Sequence, residues 1–205
     1  MATTTYASRD ELKSRMSMTV TTWDMMIDDA LDAVSRDIDG HCNRKFWVDD
    51  AVSARIYYPD CRRMTEIDDF STTIGLVIKT DTGGNGTYAT TWASTDYELS
   101  PLNGIVDGET GWPFRRIKAV GALEFPIYLT EYQRAPLQVT AKWGWAAVPS
   151  PVKQACLILG EATFKAKDAA FGVAGFDGIG VVRVRDNPMA ERKLRKYRHN
   201  AVLVA

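Results

Sequence analysis

A helix that is apolar on every side must be covered on every side, and this chain carries one near its end. Ser150 can cap the free amides, and Pro151 occupies the first helical position, where its missing N–H costs nothing. Val152, Ala155, Cys156, Leu159, Ala162 and Ala166 then form one stripe at helical spacing, while Leu157 and Ile158 lie off it. Two covers are open to such a helix: an inserted domain of the same chain, or a neighbouring subunit. Leu157 and Ile158 are therefore candidate subunit-interface residues.

A second helix closes the chain with the same start signal, Asn187 as cap and Pro188 as first residue. Its apolar stripe is thin: Ala190, Leu194, Tyr197 and Ala201. Arg192, Arg195, Lys196 and His199 share one face, which Lys193 and Arg198 widen. This face reads either as a solvated helix end or as a docking helix for an acidic or phosphate-rich surface. So narrow a stripe predicts a helix weakly held in a monomer, ordering only against a partner. Removing residues 188–205 is then expected to leave the body folded.

The 205 residues, 45% hydrophobic, suffice for one domain or two small ones, and a formal charge of −1 excludes wholesale coating of DNA. The charge is unevenly placed. Asp24, Asp28, Asp29, Asp32, Asp37 and Asp39 face only Arg36 within residues 22–41, whereas residues 183–199 are strongly basic. Acidic and basic helices on one chain suit head-to-tail association of copies, or one end facing a different partner. Cys42, Cys61 and Cys156 are odd in number and widely spaced, which favours synthesis in a reducing cytoplasm. No apolar run approaches membrane-spanning length, so no membrane partner is expected. The opening MATTTYAS is short and polar and is expected to be mobile.

Ser8 precedes a short helix with Leu12 and Met16 on one side. Thr21, with Asp24 as a weak capping box, begins a longer one. It carries Trp23, Met26, Ile27, Ala30, Leu31, Val34 and Ile38 in register and ends at Gly40 or Asn43. Trp23, Met25 and Met26 are read as core. After Phe46 the period changes to two. Val52, Ala54, Ile56 and Tyr58 alternate with Ser53, Arg55 and Tyr57. Further strands are expected at Ile74 to Lys79, after the Gly83–Gly86 turn, at Asp96 to Leu99, Phe114 to Ala119 and Pro126 to Leu129. In a last one, Leu137, Val139, Ala141, Trp143 and Trp145 face one way.

The fold class is thus α+β. The helical body has two N-terminal helices (residues 1–46) and two C-terminal helices (146–205), with an antiparallel β unit inserted at 47–145. The glycine-rich stretch 171–187 is long for a loop, and Val181 to Arg185 within it can form an exposed strand. Pairing with a neighbour's edge makes Val182 and Val184 subunit-interface candidates; a lid over the core is the other reading.

No catalytic site emerges. The two histidines, His41 and His199, lie far apart, and His41-Cys42 with Cys61 lacks zinc spacing. Asp81 to Gly86 resembles the start of a calcium loop, but Trp92 stands where the closing carboxylate belongs, and a hairpin turn explains the glycines. There is no phosphate-binding loop, nucleophile elbow or cysteine–histidine pair. Glu66, Asp68, Asp69, Asp107 and Glu109 have no spacing that brings two of them to catalytic separation. No enzyme activity, cofactor or metal is expected.

The order of motifs points elsewhere. After the two N-terminal helices comes Asp96-Tyr97-Glu98-Leu99-Ser100-Pro101-Leu102-Asn103 within the β insertion. A tryptophan-rich strand then leads into Val148-Pro149-x-x-Val152-Lys153-Gln154-Ala155, and the chain closes with Asp186-Asn187-Pro188 and Leu194…Tyr197-Arg198. Over about residues 8–199 this resembles the head-to-tail connector (adaptor, or head-completion) proteins of long-tailed double-stranded DNA bacteriophages. The β insertion is larger than in the smallest of those proteins.

The resemblance implies a non-enzymatic virion protein, a homo-oligomeric ring following the twelve-fold symmetry of the portal. Such a ring extends the DNA channel and presents a surface to a stopper or tail-completion protein, and the packaged DNA passes without sequence-specific binding. The family's C-terminal segment engages the portal protein, which here implies Arg192, Leu194, Arg195, Lys196, Tyr197 and Arg198. A rival reading from another class is a nucleic-acid-binding module built on the basic helix with exposed Trp92 and Trp112.

Overall fold

A computed structural model describes residues 4–127, 134–169 and 187–199. The chain divides into two compact units, residues 1–46 with 148–205 and residues 47–147. Helices and antiparallel sheets are segregated along the chain, which makes the fold α+β.

In the helical unit, α1 (Arg9–Arg15) opens on a complete capping box. The Ser8 hydroxyl accepts from the Glu11 amide, and the Glu11 carboxylate accepts from the Ser8 amide at 2.8 Å. Helix α2 (Asp24–Cys42) starts later than Thr21 predicts, and its N-cap, Trp23, supplies no side-chain bond. The Asp24 carboxylate is engaged elsewhere: Lys13 of α1 donates to it at 2.7 Å and Arg9 at 3.2 Å. Gly40 lies inside α2, and Asn43 ends it in the left-handed conformation. Ile27, Leu31, Val34 and Ile38 are buried, as their period requires. Trp23, Met25 and Met26, expected in the core, are 38%, 77% and 40% exposed, because the phase that turns Ile27 inward turns the first turn outward.

Helix α3 (Ser150–Ala169) packs on α1, α2 and α4 (Pro188–Leu194). The other helices of the body thus supply a cover that neither sequence reading named. Gly160 permits the close approach, since a Cβ there would stand 3.2 Å from Leu12 and 3.3 Å from Leu31. Leu157 is buried within the chain and is not a free subunit-interface residue; Ile158 is half-buried.

The N-terminal segment is also anchored rather than loose, since Tyr6 is 1% exposed. Its amide donates to Ser35 Oγ at 3.0 Å, its hydroxyl donates to Asp39, and that oxygen accepts from the Phe46 amide at 2.9 Å. Burial raises the Asp39 pKa to about 6, against the lowering effect of the Tyr6 bond and of Arg36. A folded pKa above the unfolded one means that this site's contribution is complete below the ordinary carboxylate pKa. It is lost as pH rises through about 6. In thermal melts, wild type will therefore lose stability relative to Asp39→Asn between about pH 5 and about pH 7. A difference unchanged across that interval would contradict the burial of an ionisable Asp39.

In the β unit, one sheet has the order β1 (Ser53–Tyr57), β7 (Leu137–Ala141), β3 (Val77–Thr80), β4 (Thr90–Thr91). The other has the order β2 (Met64–Phe70), β6 (Phe114–Ala119), β5 (Tyr97–Ser100), and every pairing is antiparallel. Their inner faces share a core of Ile67, Phe70, Ile78, Ile117, Phe125, Leu137, Val139 and Trp143.

Strand β2 has no counterpart in the sequence reading: Glu66, Asp68 and Asp69 look like loop residues, yet Thr65 and Ile67 turn inward, and a register shift between Glu66 and Phe70 brings Phe70 in as well. Residues 126 and 127 are not in a strand, and 128–129 lie outside the described residues.

The phase of β1 is opposite to the one expected. Arg55 and Tyr57 turn inward, and Val52, Ile56 and Tyr58 are 50%, 59% and 68% exposed. The Arg55 guanidinium sits 4.6 Å from the Trp143 ring centroid and pairs with Asp68 at 2.6 Å, so its inward charge is satisfied.

Candidate functional site

The C-terminal helix was the expected docking element, and its seat decides what it can offer. The Asn187 side chain accepts from the Met189 and Ala190 amides, both at 3.1 Å, and fixes the start of α4. Ala190 and Leu194 are 0% exposed. A 3-10 turn, Arg195–Tyr197, follows; Tyr197 is 4% exposed and meets Phe46 edge-on at 5.9 Å. Phe46 in turn meets Tyr6 edge-on at 5.6 Å. Beyond the turn, the His199 amide donates to the Cys42 carbonyl at 2.8 Å.

The thin stripe is therefore a full set of contacts for a narrow groove in the chain's own body. It is not an unsatisfied face awaiting a partner. Leu194 and Tyr197 cannot bury against another protein while α4 keeps this seat, and the expectation of a helix that orders only on docking is corrected.

What α4 does present is charge. Arg192, Arg195, Lys196 and Arg198 are exposed around the seated helix. On its inner side Glu191 lies 2.8 Å from His41 of α2 and 3.7 Å from Arg198. The structure thus brings together the basic residues singled out from sequence and holds them on a rigid base. Val182 and Val184 lie outside the described residues.

The acidic candidates are dispersed. Glu66 pairs with Arg116, Asp68 with Arg55 and the Tyr57 hydroxyl, and Asp69 accepts from the Trp145 indole at 3.1 Å. Asp107 and Glu109 sit in an exposed turn. Asp81 is an anion held by its own loop: its carboxylate accepts from Gly83 and Gly84 at 2.9 Å and from Gly86 at 2.6 Å. Burial alone would raise its pKa, but these amides hold it below the usual carboxylate range.

Burial pushes the thiols of Cys42 and Cys156 up to about 12 and about 11, which keeps them protonated and unreactive. Among the described residues no group of three His, Cys, Asp or Glu is placed to hold a metal, and no helix is long and apolar enough to cross a membrane.

The two tryptophans proposed as stacking platforms are otherwise engaged. Trp92 is 5% exposed, stacks on Phe125 at 4.7 Å and donates to Thr80 at 3.1 Å. Trp112 is half-buried against Trp145 at 5.1 Å. That removes the aromatic half of the nucleic-acid reading. The residues the sequence reading missed are the outward row Val52, Ile56 and Tyr58, because periodicity gives a spacing but not the face that is turned in.

No protein-family model and no curated protein matches the sequence. Solved structures similar in fold include two from gene transfer agent particles. A chain in the neck of an empty gene transfer agent (GTA) particle, computed with C6 symmetry, superposes with a TM-score of 0.54 at 18% identity. The match covers 98% of this chain and 93% of that one. A chain from the virion of the native particle gives a TM-score of 0.51 at 19% identity, with the same coverages. Over almost its whole length the chain therefore has the fold of a chain from the neck of gene transfer agent particles, in keeping with the resemblance to phage head-to-tail connector proteins carried by its motifs.

Proposed function

We propose that this protein is a structural, non-enzymatic virion component, a ring adaptor between the portal of a DNA-filled head and the next connector or tail-completion protein. The observation that carries the reading is the likeness in fold to a neck chain, which takes in both units and 98% of the residues. In this reading copies made in the host cytoplasm assemble at the head–tail interface and extend the channel through which DNA passes.

The portal-facing element is α4. Leu194 and Tyr197 hold it to the body from beneath, and Arg192, Arg195, Lys196 and Arg198 present a preformed basic rim to an acidic portal surface. Preformed charge of this kind steers encounter and fixes register at little ordering cost.

The test is attachment to tail-less, DNA-filled heads. Wild type is expected to co-sediment with heads, and the triple reversal Arg192→Glu, Arg195→Glu, Lys196→Glu to lose attachment while keeping its circular dichroism spectrum. If the reversal attaches undiminished and loses only a salt-sensitive DNA gel shift, the rim serves nucleic acid and the docking role is wrong.

A further inference from the structure

The β unit carries two exposed apolar features that differ in shape and charge. The first is a cleft beside β1, the edge strand of the four-stranded sheet. Ile56, Tyr58, Gly86, Tyr88, Arg134 and Ala135 line about 540 Å³ of concave space. Ile56 stands opposite Gln138, itself opposite Lys79, so it lies on the outer face of the sheet. The Arg134 guanidinium closes one side across Gly86, where a Cβ would stand 2.9 Å from it. The Tyr88 hydroxyl donates to the Ala135 carbonyl at 2.9 Å and fixes the wall. The cleft is thus an apolar slot with a cation at its rim.

The second feature is a knob that follows β5, the edge strand of the other sheet. Leu102 and Ile105 project from it, 64% and 43% exposed. It is rigid: the Trp112 amide donates to the Gly104 carbonyl at 3.0 Å, and Gly104 (φ +64) has no room for a Cβ, which would lie 2.9 Å from the Trp112 carbonyl oxygen. Val106 and Glu109 exchange both backbone bonds, at 3.0 and 2.9 Å, around an Asp107–Gly108 turn with φ values of 51 and 79. The knob is an apolar projection with an acidic tip.

We infer that the Leu102–Glu109 knob of one copy seats in the Ile56/Tyr58/Tyr88/Arg134 cleft of the next, with Asp107 against Arg134. A projection meets a concavity, apolar surface meets apolar surface and an acidic tip meets a cation, and both halves are written into one chain. A contact between two different patches of identical subunits is heterologous, the type that propagates in one direction and forms a ring where its rotation closes. A preformed knob entering a walled cleft loses little conformational freedom. The inference deepens the ring-adaptor reading and rests on it by naming the contact between copies.

Complementation of two dead-end variants tests it by sedimentation velocity, with the full chain at its highest attainable concentration. Leu102→Asp spoils the knob and keeps the cleft; Ile56→Asp spoils the cleft and keeps the knob. Both positions are exposed, so melting temperatures should stay near wild type. Each variant alone should be monomeric where wild type self-associates, and an equimolar mixture should give dimers and nothing larger. Arg134→Glu should weaken association about tenfold or more, and Asp107→Arg added to it should restore most of the loss.

Two variants that each associate like wild type would overturn the contact and leave the adaptor reading in place. Where wild type is monomeric in solution and attaches to heads, Leu102→Asp and Ile56→Asp proteins that each attach in the same number per head as wild type would overturn the contact likewise. A wild type that neither self-associates nor attaches to heads would overturn both.

Discussion

Truncating Leu194 to Ala will destabilise the helical unit by about 2–5 kcal/mol, with Tyr197→Ala near the upper end of that range. Leu194 is wholly buried, and Tyr197 continues an edge-to-face series through Phe46 to Tyr6, whose hydroxyl links Asp39 and the Phe46 amide. Removing either leaves a cavity under α4 where α2 and the N-terminal segment converge. Small domains are held by only about 5–15 kcal/mol, so deleting the whole of 188–205 should prevent the helical unit from folding. Arg192→Ala, on the exposed face, should change stability by less than about 0.5 kcal/mol. Urea melts followed by far-ultraviolet circular dichroism separate the cases. A Leu194→Ala protein as stable as wild type would mean that α4 is not seated as described.

The second large effect belongs to the β unit. Gly144→Ala will keep that unit from folding, because a Cβ there would lie 1.8 Å from the Trp47 carbonyl oxygen, and the backbone sits at φ +105. No rotamer can relieve an overlap with main chain. The strands on both sides must move, although the Gly144 amide is held by the Asp69 carbonyl at 2.6 Å, with Trp143 wholly buried beside it. The loss should exceed the few kcal/mol of ordinary core truncations and read out as disappearance of the near-ultraviolet signal of the tryptophans. Gly108→Ala is the control: its added methyl meets nothing within 4 Å, so only the strain of its positive φ remains. A Gly144→Ala chain with native near-ultraviolet dichroism would refute the close approach of the two segments.

Much of this architecture is legible in the residues, for reasons that also explain the misses. Helices α2 and α3 announce themselves because Ile27, Leu31, Val34 and Ile38, and Val152, Ala155, Cys156 and Leu159, keep a helical period long enough to dominate. Strand β2 is hidden because its outward positions are acidic, so Ile67 and Phe70 sit in what looks like a solvated loop. Strand β1 is visible as an alternation but has the wrong face inward. Its polar alternates, Arg55 and Tyr57, are satisfied by Asp68 and Trp143, residues distant in sequence that no local pattern reports. The burial of α4 has the same origin. So thin a stripe cannot be judged alone, and only the tertiary partner Phe46 shows that Leu194 and Tyr197 are already seated. The basic residues are legible as a cluster in sequence, but helical spacing does not place them: α4 ends at Leu194, Arg195 and Lys196 lie in the 3-10 turn, and Arg198 is extended.

The central claim, a ring adaptor at the head–tail interface, is tested most directly by imaging wild-type protein mixed with tail-less, DNA-filled, portal-bearing heads. Electron cryomicroscopy of the vertices should show added density at the portal vertex alone. That density should be a closed ring coaxial with the portal, into which copies of this chain fit with α4 toward the portal and the β units in contact around the ring. Vertices identical to those of untreated heads, with the protein remaining in solution or coating free DNA, would contradict it.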